Sequence, residues 1–275
     1  MIELEFSKIF VIESLRAKDF KTGQSLFNDI IKRRLEQRDL YDSCELMMPN
    51  SKNEFFECFE KIKNQSIYKP VNPIIHLEIH GNEDGLELNN NEIITWNELQ
   101  FRLIEINVIS KNNLFITMAT CFGGHIYKVI KPNFRCPFWG FVGAFEEVFM
   151  DDILDNYGAF YDEFLQSLDF NQAVLALNYS NENHQSKFNF QNTQHIFNEA
   201  YKNYEQKYLT EEVIEKRLNI LLQEAKETQE LKGWSDEAIK KSLRYLMVDA
   251  KELLKENMMM NFFMWDIFPQ NKPIK

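Results

Sequence analysis

Short apolar runs alternate with amphipathic segments along the first part of the chain, and this pattern predicts strands alternating with helices. Two runs stand out, at 73–79 (PIIHLEI) and 114–120 (LFITMAT). Both are rich in β-branched and large apolar residues, and a helical pattern lies between them, as in neighbouring parallel strands of a βαβ unit. One run stops at His80-Gly81 and the other at Cys121. Because functional groups collect at the carboxyl ends of such strands, we expect His80 and Cys121 to meet there.

The same reading covers the rest of the chain and predicts an α/β fold. Further strands are expected at 9–12, 44–48, 138–143 and 188–190, and helices at 24–38, 51–62, 95–106, 125–130, 145–168 and 171–177. Ser51 is expected to cap the second of these helices, and Thr95 with Glu98 forms a capping-box pattern at the third. The polar segment 181–186 predicts a surface loop.

Two regions follow from this pattern. Residues 1–190 are expected to form a mostly parallel sheet flanked by helices. Residues 191–275 are predicted to be a helical extension that packs on this domain or binds a partner. An apolar tip at 258–268, rich in Met and Phe, is either core or a docking surface for a partner protein.

Composition narrows the classes of partner. A formal net charge of −11 argues against a general phosphate-binding surface, so we expect no nucleic-acid partner. No apolar run approaches the ~20 residues that span a bilayer, and the first residues lack the features of a signal peptide. The four cysteines form no CxxC pair, which favours a reducing, cytoplasmic location and a free thiol at Cys121.

His80 and Cys121 together provide a base and a nucleophile. A thiol is mostly protonated at neutral pH, so a catalytic cysteine needs an imidazole or a helix N-terminus nearby. Acyl transfer also needs donors for the developing oxyanion, and the backbone N–H groups of Gly81 and Cys121 are the candidates. Alone, each residue has a simpler explanation, as a turn or a small buried side chain. Their order at adjacent strand ends favours a catalytic dyad.

Two rival interpretations remain open at this point. His76, Glu78 and His80 share one face of a strand, an arrangement that can bind a metal ion. The simpler view is that His76 and Glu78 are buried in a central strand, so we expect neither metal nor another cofactor. His125 is a second candidate base, expected near the surface of the helix after Cys121.

These motifs, in this order, resemble the caspase-like cysteine peptidases, and most closely their CHAT branch. The likeness spans roughly residues 5 to 180. It is carried by Ile79-His80-Gly81, by 85–88 (GLEL) with 94–99 (ITWNEL), and by 118–124 (MATCFGG). Weaker similarity is found at 11–15, 21–23, 138–142, 159–164 and 172–177.

The resemblance implies a caspase-like sheet, a His80/Cys121 dyad and endopeptidase activity on a protein or peptide substrate. CHAT proteins are similar to separases and often act as effectors switched on by a partner, including in bacterial anti-phage defence. Caspases carry a polar residue two positions before the cysteine, where this chain has Ala119, which puts preference for Asp in doubt. The alternative is a catalytically inactive interaction protein that keeps the fold.

A constantly active cytosolic protease would damage its host, so the isolated chain is expected to be poorly active. The loop 82–91 beside His80 and the apolar tip are the expected points of control by a regulatory partner.

Overall fold

The central feature of the fold is a mixed, mostly parallel β-sheet. The computed structural model describes residues 6–68, 72–180, 186–227, 233–249 and 251–272. The main strands are β1 (Lys8–Ser14), β2 (Cys44–Met47), β3 (Pro73–Gly81), β6 (Phe115–Ala119), β7 (Gly140–Ala144) and β8 (Phe188–Asn192), in the spatial order β2-β1-β3-β6-β7-β8. Neighbours run parallel except β7 and β8, which are antiparallel. Two short strands, β4 (Gly85–Glu87) and β5 (Ile93–Thr95), continue from β3 as an antiparallel extension.

Helices flank this sheet. They are α1 (Thr22–Leu26), continued by a π-helical turn at Phe27–Lys32 into α2 (Arg33–Glu36), then α3 (Lys52–Tyr68), α4 (Trp96–Ile109), α5 (Met150–Ser167) and α6 (Phe170–Tyr179). A 3₁₀ helix, Gly123–Val129, follows β6. Both predicted caps form: the Ser51 hydroxyl accepts from the Glu54 N–H, and Thr95 and Glu98 make a reciprocal capping box. The predicted loop at 181–186 lies almost wholly outside the described residues.

One face of the sheet packs on α1, α5 and α6. Alternate strand residues such as Ile9, Val11 and Ile74 join a cluster of buried side chains with Phe160 and Phe170 from the helices. Phe115 stands edge-on to the Phe170 ring, with ring centroids 5.1 Å apart. Because side chains alternate between faces, His76, Glu78 and His80 project from this same face of β3.

A buried polar network lies within that apolar face. The His76 ring bonds through Nδ1 to the Thr117 hydroxyl at 2.8 Å and through Nε2 to the Glu78 carboxyl at 3.1 Å. The Thr22 hydroxyl donates to the other oxygen of Glu78 at 2.5 Å. Glu13 is paired in register with Glu78 and is also buried, yet its Oε1 has no partner among the described residues.

Residues 194–275 form, with 131–135, a second compact unit. Its helices are α7 (Thr193–Tyr208), α8 (Glu211–Lys226), α9 (Asp236–Arg244) and α10 (Lys251–Phe262). The Phe197 ring packs on Phe262 and Phe263, with centroids 5.1 and 5.5 Å apart, and Met258 and Met264 are buried as well. Much of the apolar tip is therefore core of this unit, while Met260 and Ile267 stay exposed.

Several expectations from the sequence are confirmed. The chain is an α/β protein with a mostly parallel sheet flanked by helices, and the strands ending near His80 and Cys121 are hydrogen-bonded neighbours. In the described part of the chain, no helix has the length and apolarity needed to cross a bilayer.

The unpaired Oε1 of the buried Glu13 carboxyl generates a stability prediction. Burial raises the pKa of Glu13 above 4.5, and the nearby charge of Glu78 adds to this. The folded state therefore holds the Glu13 proton more tightly than the unfolded state, and stability is lost as pH rises above 4.5 through the raised pKa. We expect Glu13→Gln to raise the free energy of unfolding at pH 7 by about 1 kcal/mol, with little gain at acidic pH, as measured by urea denaturation.

Glu45→Gln is the control, because it is expected to change the free energy of unfolding at pH 7 in the opposite direction. Burial opposes ionisation of Glu45, but hydrogen bonds from Lys61, Lys8 and Gln65 outweigh it and lower its pKa to about 2. This stabilisation is present above pH 4.5 and is lost as pH falls toward 2, so Glu45→Gln should destabilise at pH 7. A Glu13→Gln variant that is less stable than wild type at pH 7 would contradict the assignment.

Candidate active site

The register between β3 and β6 determines where His80 and Cys121 lie. Ile74 pairs with Phe115, and each following residue pairs in step as far as Glu78 with Ala119. The same register continued by two residues places His80 beside Cys121, and both side chains then project from one face of the sheet. The structure brings the two predicted site residues together at the carboxyl edge of the sheet.

His80 is held by an acidic residue that the sequence analysis did not single out. Its Nε2 lies 2.7 Å from Oδ2 of Asp19, in the loop between β1 and α1. The His80 side chain is 37% exposed and that of Asp19 is 23% exposed, so the pair lies at the surface of the site. Because a carboxylate only accepts hydrogen bonds, Nε2 is the nitrogen that carries the proton.

The Cys121 thiol contacts the backbone of Val148. Its Sγ accepts from the Val148 N–H at 3.4 Å and lies 3.6 Å from the Val148 carbonyl oxygen. The thiol is half-buried, packed against the apolar cluster, and is not hydrogen bonded to His80 among the contacts described. Long contacts between nucleophile and base are common in enzymes without substrate.

The chain turns sharply just after the thiol. Phe122 adopts a left-handed conformation with φ 57°, which is costly for a residue other than glycine. Its N–H bonds to the Glu146 carbonyl at 3.1 Å, and its own carbonyl accepts from the His125 N–H at 2.8 Å. This turn separates Cys121 from the following helix, which is a seven-residue 3₁₀ helix at Gly123–Val129, close to the short helix predicted at 125–130.

Gly81, one of the two expected oxyanion donors, lies close to the backbone of Cys121, the other. Asn82 N–H bonds to the Gly85 carbonyl across the β3–β4 turn, so the next pair, Gly81 with Leu86, is the non-hydrogen-bonded kind. The Gly81 N–H consequently faces away from β4. A Cβ at this position would collide with the Thr120 side chain and the Cys121 carbonyl oxygen, so only glycine permits this close approach. The Cys121 N–H has no acceptor among the described residues.

A cavity of about 250 Å³ opens onto both residues of the dyad. Asp19, Thr22, Glu78, His80 and Cys121 contribute its polar wall. Its remaining wall is apolar and is made by Leu15, Phe20, Ile79, Ala119, Val148, Met150 and Ile153. The cavity is large enough for one side chain of a substrate beside the thiol.

A larger open cavity of about 1020 Å³ lies near β2 and α3. Lys8, Tyr41, Cys44, Lys61 and Tyr68 are among its lining residues, and none of the predicted site residues lines it. Size alone therefore does not identify the site, and the smaller cavity is the one that holds a nucleophile next to a base.

The rival metal site is not assembled. Both ring nitrogens of His76 are engaged, by Thr117 and Glu78, while the His80 ring bonds to Asp19 instead. Within the described residues, no group of three His, Cys, Asp or Glu side chains is placed to hold a metal ion. The structure instead makes His76 and Glu78 part of the buried network.

His125 is buried, contrary to the expected surface position. Its ring packs on Phe122 and Phe145, and its Nδ1 lies 3.0 Å from Lys128 Nζ. Burial and the neighbouring Lys128 charge lower the pKa of His125. It does not line the cavity beside Cys121, which leaves His80 as the base in position.

Neither a protein-family model nor a curated protein matches the chain. The candidate site therefore rests on the geometry of its own residues.

Thiol reactivity provides a direct check of this geometry. We expect iodoacetamide at pH 7 to label Cys121 faster than the other cysteines, as read by peptide mapping. Burial raises the pKa of Cys44 and Cys136 and raises that of Cys58 to about 11, which keeps these thiols protonated.

His80→Ala should slow labelling of Cys121 by about tenfold, whereas His125→Ala should leave it unchanged. Equal labelling of Cys44 or Cys58, or a His80→Ala variant that reacts like wild type, would count against the dyad.

Proposed function

We propose that the chain is a cysteine endopeptidase in which Cys121 is the nucleophile and His80 transfers the proton. The observation that carries this proposal is that His80 and the free thiol of Cys121, which follow two paired strands, line one cavity. A base and nucleophile on adjacent strand ends, with backbone donors beside them, match the requirements of acyl transfer.

The reaction follows from the positions of these groups. His80 takes the Cys121 proton, and the sulfur forms a bond to the carbonyl carbon of the substrate while the carbonyl electron pair moves to oxygen. The Gly81 and Cys121 N–H groups are the proposed donors to that oxyanion. Collapse of the tetrahedral species breaks the C–N bond, and the imidazolium gives its proton to the leaving amine. Water then attacks the thioester, with His80 accepting its proton, and releases the acid and the free thiol.

A caspase-like identity, within the CHAT branch, is part of the proposal. Its support is the order of the motifs at His80-Gly81 and Cys121, together with an α/β sheet in which those strands are neighbours. An inactive interaction protein on the same fold is the competing hypothesis. It is less well supported because the thiol, the base and the candidate donors all remain at the site.

We further propose that a partner or signal controls the enzyme, as for an effector in bacterial anti-phage defence. An ion pair between Glu87 and Arg16 links the loop at 82–91 to the loop that carries Asp19. A change of conformation at 82–91 would therefore move groups beside His80. In the apolar tip, the exposed Met260 and Ile267 are the remaining candidates for a contact with an activator.

Cleavage-site profiling tests the activity. In an extract of the producing cells, which supplies any activator, added wild-type protein should generate new protein N-termini that are absent with Cys121→Ala and His80→Ala. Removing either group should lower cleavage by at least about 10³-fold. New N-termini that persist with Cys121→Ala would contradict a thiol mechanism, and a complete lack of new N-termini with wild type would favour the inactive alternative.

The cavity also predicts a substrate preference. Two carboxyl groups, from Asp19 and Glu78, line it, and none of its described lining residues is Lys or Arg. An acidic side chain before the cut would meet like charge without a cationic partner. In matched peptides, we expect Asn before the cut to give a kcat/KM at least about tenfold higher than Asp. Cleavage enriched after Asp would overturn this assignment of the cavity.

A further inference from the structure

We propose that Asp19 is a positioning residue that orients His80 and stabilises its protonated form during catalysis. This inference rests on the proposed function, because it assigns a role within the same site. It adds a third group to the His80/Cys121 dyad.

The contact between Asp19 and His80 has the geometry of a well-formed hydrogen bond. Oδ2 of Asp19 accepts from the His80 ring at 2.7 Å and from the Arg16 N–H at 3.0 Å. Carboxylate–imidazole bonds of this length are charge-assisted when the ring is protonated. The imidazole is thereby tied to the β1–α1 loop, although it projects from β3.

The bond also determines which nitrogen is the base. With Nε2 donating to Asp19, the neutral ring keeps its lone pair on Nδ1, the nitrogen left for the proton of Cys121. A His80 ring without this partner would rotate and exchange tautomers, because its side chain is 37% exposed. Asp19 therefore selects one orientation and one tautomer of the base.

In the proposed reaction, Asp19 acts as an ionised carboxylate. The hydrogen bond from His80 lowers the pKa of Asp19, and the charges of His80 and Arg16 act in the same direction. A carboxylate in contact with Nε2 favours the imidazolium that forms when His80 takes the thiol proton. Asp19 therefore stabilises the thiolate–imidazolium pair relative to the neutral thiol and imidazole.

The loop that carries Asp19 is itself anchored. Lys21 Nζ bonds to the carbonyl oxygens of Leu15 and Arg16 at 2.5 and 2.8 Å, which closes the loop on itself. The Arg16 guanidinium pairs with Glu87 of β4, the residue in register with His80. Contacts on both sides of the site thus fix the position of the carboxylate.

The other charged or titratable groups around the pair come from four elements. They are Arg16 and Lys21 of the same loop, Glu78 of β3, Glu87 of β4 and Cys121 after β6. The hydrogen bond of His80 Nε2 goes to Asp19 and not to one of these groups, so Asp19 is the group to change.

The pH dependence of Cys121 alkylation tests the role. In Asp19→Asn we expect the rate at pH 7 to fall about tenfold and its profile to move about one unit to higher pH. Without the carboxylate, the imidazolium beside the thiolate loses its stabilising partner. Asp84→Asn is the matched control, since it removes one charge from an exposed side chain in the turn just after Gly81. Asp19→Glu should restore part of the wild-type profile.

Stability and peptide cleavage separate the remaining explanations. An exposed pair contributes little to folding, so Asp19→Asn should melt within a few degrees of wild type. A profile that stays in place in Asp19→Asn, or that moves equally in Asp84→Asn, overturns the proposal. If wild type cleaves no peptide but the alkylation profile still moves in Asp19→Asn alone, the positioning role stands and the peptidase function fails.

Discussion

The parallel pairing of β3 with β6 is the constraint on which the site depends. Side chains alternate along a strand, so a slip of one residue would send His80 to the opposite face from Cys121. The register from Ile74–Phe115 to Glu78–Ala119 prevents this, because these positions are buried on both faces of a central strand pair. The same close pairing continues beyond the strands, where Gly81 packs against Thr120 and the backbone of Cys121.

The β3–β6 register buries several polar side chains beneath the site, and one of them also lines the cavity. Placing His76, Glu78 and Thr117 inside the sheet requires a partner for each, and they bond to one another and to Thr22 and Tyr161. Glu13 is the exception, with one oxygen unpaired among the described residues. Glu78 reaches the floor of the cavity from this network, so the buried polar cluster and the site share a wall.

The sequence could predict the elements whose signals are local. Periodicity located the strands that end at His80 and Cys121, and their adjacency followed from the βαβ pattern. Asp19 could not be found this way, since it lies in a loop without periodicity and reaches His80 only through tertiary structure. The burial of His125 against Phe122 and Phe145 likewise depends on the turn at Phe122, whose positive φ the sequence pattern did not predict. The sequence left the role of the apolar tip open, because a core and a docking surface have the same composition. The contacts of the Phe197 ring with Phe262 and Phe263 show that these two residues belong to the core.

A crystal structure of the protein with a peptide aldehyde ending in an uncharged residue tests the central claim most directly. The account predicts a bond between Cys121 Sγ and the aldehyde carbon, with the resulting oxygen within hydrogen-bond distance of the Gly81 or Cys121 N–H and the side chain in the cavity beside Ala119. An aldehyde bonded to a different thiol, or an oxygen directed away from both N–H groups, would contradict it.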